Sequence, residues 1–474
     1  MQEINLPVYN IKSAFIQRWR QRNGYLQVLR IAFPLILSTG SYSVQQFIDR
    51  MFLSWYSPDA LAAALPTGML CFTLISLFMG TSGYVSTFIA QYIGASRPEK
   101  VGPAMWQGIY FSVLGGLLIA FTALFPKTIF SLIGHSPEVQ ILESEYWVYL
   151  TLGGIFPVAQ GAVAGFFSGR GKTYPIMWCT FAATGVNIAL NYLLIFGNLG
   201  MPEMGISGAG LSTFISGLLN FLFLSVLVFT NENNSKYKTR SGWKFDPALF
   251  KRLIRYGLPN GIQFFLDIAA FSLFILLIGR LGATELAAAS IAFNISMLAF
   301  MPMIGLGITV SILVGQSLGA NEAGQAKVAT FSAFQISFTY MAILAMLYLL
   351  IPNVFIYPFS AKADPIEFES IKSTALVSLR FIALWSIFDS LAIIFSSALK
   401  GAGDTAFIML SICLTGPIIL IAPTFLIIEI FHLGLNAAWI SGVAYVLCLG
   451  IVYYLRFKAG KWESMRVIES QLAT

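Results

Sequence analysis

Few carboxylates stand inside the long apolar stretches of this 474-residue chain, and three of them are Asp49, Asp267 and Asp389. Moving a charged side chain to the centre of a bilayer costs about 2.5–3.5 kcal/mol on insertion scales, so an ionisable group kept there is a functional candidate by default. A carboxylate in such a place can bind a proton or a small cation and release it again. Each of the three is therefore a candidate cation- or proton-binding residue.

Amide and hydroxyl side chains accompany Asp49. Asn187 and Asn191 are four residues apart, so they share one face of a helix, and Thr213 offers a hydroxyl in the next apolar stretch. Such oxygens suit a small hard cation, so the cluster predicts either Na+ bound at Asp49, Asn187 and Asn191 or a proton held by Asp49. Two structural interpretations stay open: Arg50 can pair with Asp49 at the membrane interface, and the two asparagines can serve helix–helix hydrogen bonding.

Asp267 and Asp389 form a second candidate pair, and Gln263 precedes Asp267 by four residues. Arg380 stands nine residues before Asp389. At about 100° and 1.5 Å per residue this spacing puts the two on opposite faces of a helix, so they do not pair within it. We expect Arg380 to extend to the membrane interface and to be the only basic residue inside a span, with Lys400 in the following loop.

Six polar and aromatic side chains near these carboxylates are candidates for lining a cavity that attracts aromatic cations. They are Tyr42, Gln46, Gln263, Phe265, Trp385 and Phe388. Packing is the alternative for each aromatic side chain, because the chain contains 41 Phe and 9 Trp.

The composition indicates which elements must position these groups. The chain is 57% hydrophobic and 10% charged, with a mean hydropathy of +0.77, whereas soluble domains carry about 25% charged residues. A spanning helix needs roughly 20 mostly apolar residues, and barrel strands would alternate instead. Twelve continuous apolar runs predict an all-α integral membrane protein with twelve transmembrane helices: 31–55, 60–93, 104–126, 146–168, 174–197, 205–230, 256–280, 286–318, 328–352, 373–399, 405–431 and 433–455.

The chain repeats itself at a spacing of 225 residues, which becomes 232 further along. Matching pairs include Pro34 and Pro259, Gly80 and Gly305, Gln91 and Gln316, Gly94 and Gly319, and Gly169 and Gly401. So many ordered identities indicate a duplication. Six helices per repeat is an even number, so the two pseudo-symmetric halves share one orientation in the membrane.

Basic residues divide unevenly between the predicted loops. Cytoplasmic loops collect Lys and Arg, and with the N-terminus inside, 22 of the 28 Lys and Arg fall on the inner side and 5 on the outer side. We therefore expect both termini in the cytoplasm. The predicted organisation is a basic interfacial segment 1–30, a first lobe 31–230, a cytoplasmic linker 231–250, a second lobe 251–456 and a cytoplasmic tail 457–474.

Five motifs occur in order between about residues 25 and 455. They are Pro34 with Gln45-Gln46-Phe47-Ile48-Asp49, Gly80 with Gln91-Tyr92-Ile93-Gly94-Ala95, Asn187-Ile188-Ala189-Leu190-Asn191-Tyr192, Gly257-Leu258-Pro259 with Asp267, and Asp389 with Leu399-Lys400-Gly401-Ala402-Gly403-Asp404-Thr405. Together they resemble the multidrug and toxic compound extrusion (MATE) family, and within it the NorM-type branch.

The resemblance implies a V-shaped pair of lobes in a bacterial inner membrane, with a substrate cavity between them. It also implies a first-lobe ion site at Asp49, Asn187, Asn191 and Thr213, and export of cationic or amphipathic organic compounds in exchange for Na+ or H+, without a cofactor. Two departures concern the second lobe. Asp267 stands where these proteins usually have Glu, and Trp385 stands where a Tyr can occur, and an indole cannot ligate Na+ through oxygen.

Other classes of function remain to be weighed. A lipid-linked oligosaccharide flippase of a related fold is the alternative, although such proteins tend to have a more basic central cavity. A channel built from a duplicated chain is also open. An enzyme is not expected, because neither an HExxH motif nor a Ser/His/Asp set occurs. We expect small organic cations or amphipathic drugs and the lipid bilayer as partners, no nucleic acid, and a monomer.

Overall fold

The computed structural model describes residues 17–360 and 365–469, and within these residues all regular structure is helical. The outer parts of the predicted N-terminal segment and tail, residues 1–16 and 470–474, lie outside the described residues. Twelve long helices follow one another: α1 (Tyr25–Tyr56), α2 (Pro58–Gly94), α3 (Pro98–Leu124), α4 (Pro137–Ser168), α5 (Tyr174–Phe196), α6 (Gly205–Val228), α7 (Pro247–Gly279), α8 (Ala283–Gly319), α9 (Ala323–Leu350), α10 (Pro365–Ala402), α11 (Thr405–Ile430) and α12 (Leu435–Lys458).

The predicted all-α, twelve-helix membrane fold is confirmed. Within the described residues, α2 to α12 supply 11 helices that are long and apolar enough to cross a membrane. The remaining helix, α1, has 32 residues, but its second half contains three Ser and two Gln and carries Asp49 and Arg50. This polarity marks α1 as the helix that borders a polar region of the protein.

Proline and capping side chains fix many of the helix starts. Pro58, Pro137 and Pro247 occupy the first turns of their helices, where the missing N–H removes no intrahelical bond. The Asp246 carboxylate accepts hydrogen bonds from the backbone N–H groups of Ala248 and Leu249 and so caps α7. These local signals start α4 and α7 nine residues before the predicted runs at 146 and 256, whereas α2 begins within two residues of its run.

Several spans are interrupted helices. α2 is divided at Tyr84 into Pro58–Gly83 and Val85–Gly94, and α4 is divided at Gly154 into Pro137–Gly153 and Ile155–Ser168. α11 contains two π-helical segments, Gly416–Ile421 and Leu426–Ile430. Pro417 lies in the first of them, where the ring removes a backbone donor and widens the local hydrogen-bond pattern.

The two halves meet through repeated positions. α2 packs on α7, and α1 packs on α8. At the ends of α2 and α8 the chains cross so closely that a Cβ on Gly94 would collide with the Gln316 carbonyl, and a Cβ on Gly319 would collide with the Gln91 carbonyl. Since these four residues are 225-residue matches, one contact is made twice across a pseudo-two-fold axis.

We call the end of the molecule where α2 and α8 cross the basic end. It comprises the turns near 97–100, 170–172 and 320–327, the connecting segment 231–246 and the tail 459–469, which together hold many of the Lys and Arg residues. The connecting segment begins with a short helix, Asn231–Tyr237. The outer ends of α1, α7 and α8 lie at the opposite end.

Candidate ion and substrate site

Asp49 lies beside the two asparagines of α5. Asn191 donates a hydrogen bond to Asp49 Oδ1, and the same amide donates to Asn187 Oδ1 at 3.1 Å. Both asparagines are fully buried, and the Asn191 Oδ1 atom has no hydrogen-bond partner. One carboxylate and an unpartnered amide oxygen therefore share one small polar region, which can hold a proton or a hard cation.

Ser216 is the α6 hydroxyl that joins this cluster. Asn187 Nδ2 donates to Ser216 Oγ at 3.3 Å, and Ser216 in turn donates to the Thr213 carbonyl at 3.1 Å. Thr213 thus lies one turn away on the same helix face. Ser216 was not among the residues predicted from the sequence, although its three-residue spacing from Thr213 was the signal that could have identified it.

Arg50 does not form an ion pair with Asp49. Its guanidinium is exposed and donates to Gln46 Oε1 at 3.5 Å. The interfacial pair considered from the sequence is therefore not formed in this conformation, and Asn191 is the side chain that donates to the Asp49 carboxylate.

The carboxylates of the second half lie in a separate polar cluster. Gln263 donates to Asp267 Oδ2, and Asp389 and Lys400 both interact electrostatically with Asp267. The buried Gln263 Oε1 atom has no hydrogen-bond partner. Asp267, Asp389 and Lys400 bring two negative charges and one positive charge together between α7 and α10.

Lys400 corrects the sequence analysis. We expected Arg380 to be the only basic residue inside a span and assigned Lys400 to a loop, but α10 continues to Ala402 and Lys400 lies half-buried in its last turn. Arg380 is exposed. The helix extends further than expected because Gly401 packs against the Ser311 backbone of α8, which holds its last turn in place.

Two tyrosines of α12 were also missed. The Tyr445 and Tyr453 hydroxyls are buried without hydrogen-bond partners, and both interact electrostatically with Asp267. A tyrosine within an apolar run gives no sequence signal that separates packing from a site. Their eight-residue spacing puts them about 80° apart around the helix, within the width of one broad helix face, and was the only hint.

The six candidate cavity residues differ in exposure. Tyr42 is 46% exposed, whereas Gln263 and Trp385 are buried. Trp385 packs against Phe271, Phe293 and Trp439, with ring centroids 5.4–6.4 Å apart. It therefore lies in an aromatic core of the second half in this conformation. Gln46, Phe265 and Phe388 are partly exposed.

The hydrogen bonds that join the halves are confined, within the described residues, to the region from the basic end to the middle of the helices. Gln91 Nε2 donates to the Gly401 carbonyl at 3.0 Å, and its repeat match Gln316 donates to the Gly169 carbonyl at 2.8 Å. The outermost such bond of α1, from Thr39 to Met301, is near mid-helix.

The tail adds a second junction at the basic end. Glu469 accepts hydrogen bonds from Tyr92 at 2.8 Å and Arg97 at 2.6 Å, both from the first half, and from Arg252 of α7 at 2.5 Å. Gln91 Oε1 accepts from the Val467 backbone N–H at 2.8 Å. The halves are thus joined at one end, and Asp49 lies beyond the joined region.

Similar solved structures define the class of protein. A structure described as an outward-facing conformation of a multidrug resistance MATE family transporter matches with a TM-score of 0.85 and 20% identity, over 95% of this chain and 99% of that chain. A transporter of the MOP superfamily from Pyrococcus furiosus matches with the same TM-score, identity and coverage. The fold is that of a MATE-type, two-half membrane protein.

Curated relatives match over most of their length. Multidrug resistance protein PmpM of Pseudomonas aeruginosa is 30% identical, over 82% of this chain and 81% of its own. A probable multidrug resistance protein NorM of Bradyrhizobium diazoefficiens is 28% identical over 88% and 89%. The MatE family model matches residues 34–193 and 259–426, and the two stretches begin 225 residues apart, the spacing of the internal repeat. The chain belongs to the MatE family, in its NorM-type branch, and the flippase alternative is not favoured.

Proposed function

We propose that this protein is a secondary active exporter of cationic or amphipathic organic compounds, driven by the inward movement of Na+ or H+. The names of the PmpM and NorM relatives support multidrug substrates. The basic end, by the distribution of Lys and Arg, faces the cytoplasm of a bacterial inner membrane. The lobes 31–230 and 251–456 are the moving units, connected by the linker 231–250.

One observation carries the proposal. Each half holds at least one carboxylate with a polar partner inside its helices, while the hydrogen bonds that join the halves among the described residues lie at the basic end and in the middle. Such a protein can open its other end without unfolding either half. This is the arrangement that alternating access requires.

In the proposed cycle, a proton or Na+ bound at Asp49 and at the Asp267 and Asp389 pair removes negative charge from the helix interior. The change in charge alters lobe packing and lowers the affinity for an organic cation, which leaves outward. A ligand shifts a conformational equilibrium only through its different affinity for the two states. Neutralising a carboxylate inside the protein provides such a difference.

Asp389→Asn tests the proposal because it removes the charge and nearly keeps the shape. In proteoliposomes with an imposed Na+ or H+ gradient, we expect this variant to lose ethidium efflux while it keeps the thermal unfolding midpoint of the parent protein. Asp59→Asn, an exposed carboxylate at the start of α2, is the matched control and should export normally. Full gradient-driven efflux by Asp389→Asn would refute the coupling role.

The coupling ion needs a separate measurement. Efflux driven by a Na+ gradient at equal pH on both sides, compared with efflux driven by a pH gradient without Na+, identifies it. Efflux under only one of the two conditions assigns that ion.

A further inference from the structure

The segment that connects the two halves is anchored to α3 through its backbone. Trp106 Nε1 donates to the Thr239 carbonyl at 2.7 Å, and the Tyr110 hydroxyl donates to the Trp243 carbonyl. Gln107 Oε1 accepts from the Asp246 backbone N–H at 3.3 Å. Because α3 binds the backbone of the segment, many of its side chains are left to face outward.

Those side chains are cationic and aromatic. Lys236, Lys238, Arg240 and Lys244 are exposed, and none of them takes part in an ion pair among the described residues. Trp243 is 60% exposed. Exposed aromatic rings beside unpaired cations are typical of the headgroup level of a bilayer.

A shallow, open pocket of about 370 Å³ with a mostly apolar lining lies between this segment and the helices. Its lining consists of Trp106, Phe229, Arg240 and Trp243. The Trp106 and Phe229 rings pack at 5.6 Å and form an apolar wall. Arg240 donates to Asn231 Oδ1 at 3.1 Å with one nitrogen, which leaves further guanidinium donors for an anionic oxygen.

The pocket lies at the level of the bilayer surface, and this position indicates which kind of ligand it can bind. Trp106 is near the start of α3 and Phe229 directly follows α6, so the pocket lies where two spans leave the bilayer at the basic end. The adjoining surfaces of these helices are apolar and exposed: Leu117 is 62% exposed and Val226 is 71% exposed. A ligand in this position contacts the Arg240 guanidinium at one end and, at the other end, an apolar surface that can pack against acyl chains.

We propose that this pocket binds an anionic glycerophospholipid of the basic-end leaflet, with its phosphodiester on Arg240 and its glycerol backbone against Trp106 and Trp243. The guanidinium presents several N–H donors in a plane, which suits phosphate oxygens. The lipid fixes the connecting segment to the first half at the bilayer surface. This role is independent of which molecule the protein exports.

Native mass spectrometry of the full chain in detergent tests the assignment. With equimolar phosphatidylglycerol and phosphatidylcholine, the parent protein should retain phosphatidylglycerol at least about fivefold more, a difference of roughly 1 kcal/mol. Arg240→Ala and Trp243→Ala should remove this preference, and Arg240→Lys should keep part of it. Lys458→Ala, an exposed cation at the same end on α12, is the control with the same loss of charge and should retain the preference.

Three outcomes would overturn the proposal. One is equal retention of the two lipids by the parent protein. Another is an equal loss of preference in Lys458→Ala and Arg240→Ala, which would indicate general charge attraction instead of a pocket. The third is displacement of the bound lipid by millimolar inorganic phosphate, which would make the pocket a site for a free anion. Circular dichroism of each variant verifies that its helices are intact.

Discussion

At the scale of single residues, Asn191 joins the polar side chains of the candidate site in the first half. Its amide group donates to both Asp49 and Asn187, while its own oxygen has no partner. A carboxylate removed from water needs donors or a cation to replace its hydration. In this structure Asp49 has one amide donor, so a proton or a bound cation would complete its surroundings.

Asn191→Leu should therefore weaken ion-driven transport. The change keeps the side-chain volume but leaves Asp49 without its amide donor, and hydrogen bonds to charged groups contribute about 1.5–3 kcal/mol. We expect the initial rate of ethidium efflux to fall by about 10-fold or more at equal protein content.

Asn220→Leu is the control for that experiment. Asn220 is also a buried amide of the first half, and its Oδ1 has no partner, but among the described residues no hydrogen bond joins it to Asp49. It should transport at the parent rate. Equal losses in the two variants would mean that any buried amide matters, and that Asn191 has no special role in holding Asp49.

The sequence predicted only part of the candidate sites. The four-residue spacing of Asn187 and Asn191 placed both on one helix face, and the structure brings Asp49 to that face. The position of Lys400 inside α10 was not predicted, because glycines follow it and hydropathy does not show where a helix ends. Tyr445 and Tyr453 were not predicted to lie near Asp267, because the side chains that surround a tyrosine come from distant parts of the chain.

At the scale of elements, the internal repeat marks the places where one contact is made twice. Gly169 and Gly401 pack against the backbones of Ser86 and Ser311, which are also repeat matches. Identical residues persist where backbone approaches backbone, because no larger side chain fits. The carboxylates differ between the halves because they lie away from these crossings.

Hydropathy predicted the twelve spans well because each exceeds the length needed to cross a bilayer. It did not predict the breaks at Tyr84 and Gly154 or the π-helical segments of α11. Such breaks change which carbonyl an N–H group contacts, and they leave the apolar character of the run unchanged. The pattern therefore counts helices more reliably than it describes their continuity.

Gly94→Ala tests the crossing of α2 and α8. The added methyl group meets the Gln316 carbonyl, and forcing an extra carbon into a packed contact costs about 1–3 kcal/mol. We expect the Tm in detergent to fall by about 2 °C or more. Gly319→Ala, the repeat match, should produce a loss of similar size because its contact with Gln91 is equivalent.

Gly185→Ala provides the matched control. Gly185 lies within α5, and a Cβ built there has nothing within 4 Å. Replacing a helical glycine in open space improves helix propensity by up to about 1 kcal/mol, so the Tm should stay or rise slightly. A Gly94→Ala protein as stable as Gly185→Ala would show that the two helix ends can separate at no cost.

At the scale of the whole molecule, the tail carboxylate Glu469 connects the two halves. Partial burial acts to raise the pKa of Glu469, but hydrogen bonds from its own backbone, Arg252 and Tyr92, together with attraction by Arg252, lower its pKa to about 2. The lowered pKa belongs to the folded, closed arrangement. Glu469 therefore stabilises this arrangement fully above about pH 4.5. This stabilisation is lost as the pH falls towards 2.

Glu469→Gln should favour opening of the basic end, since Arg97 and Arg252 then lose their shared carboxylate. The distance between spin labels on Lys172 and Lys458, exposed residues of opposite halves at this end, reports the opening by double electron–electron resonance. The protein should carry Ser in place of Cys413 and Cys448. We expect the longer-distance population to increase severalfold at pH 7.

Glu463→Gln separates this effect from a general weakening of the tail. Glu463 pairs with Lys327 at 2.8 Å, and both residues belong to the second half, so its loss breaks an ion pair without releasing one half from the other. The distance distribution should stay as in the parent protein. An equal shift in both variants would make the tail a stabiliser of the second half alone. A shift in Glu469→Gln alone at pH 7, and opening of the parent protein to the same distances at about pH 2, would identify the carboxylate charge as the link between the halves.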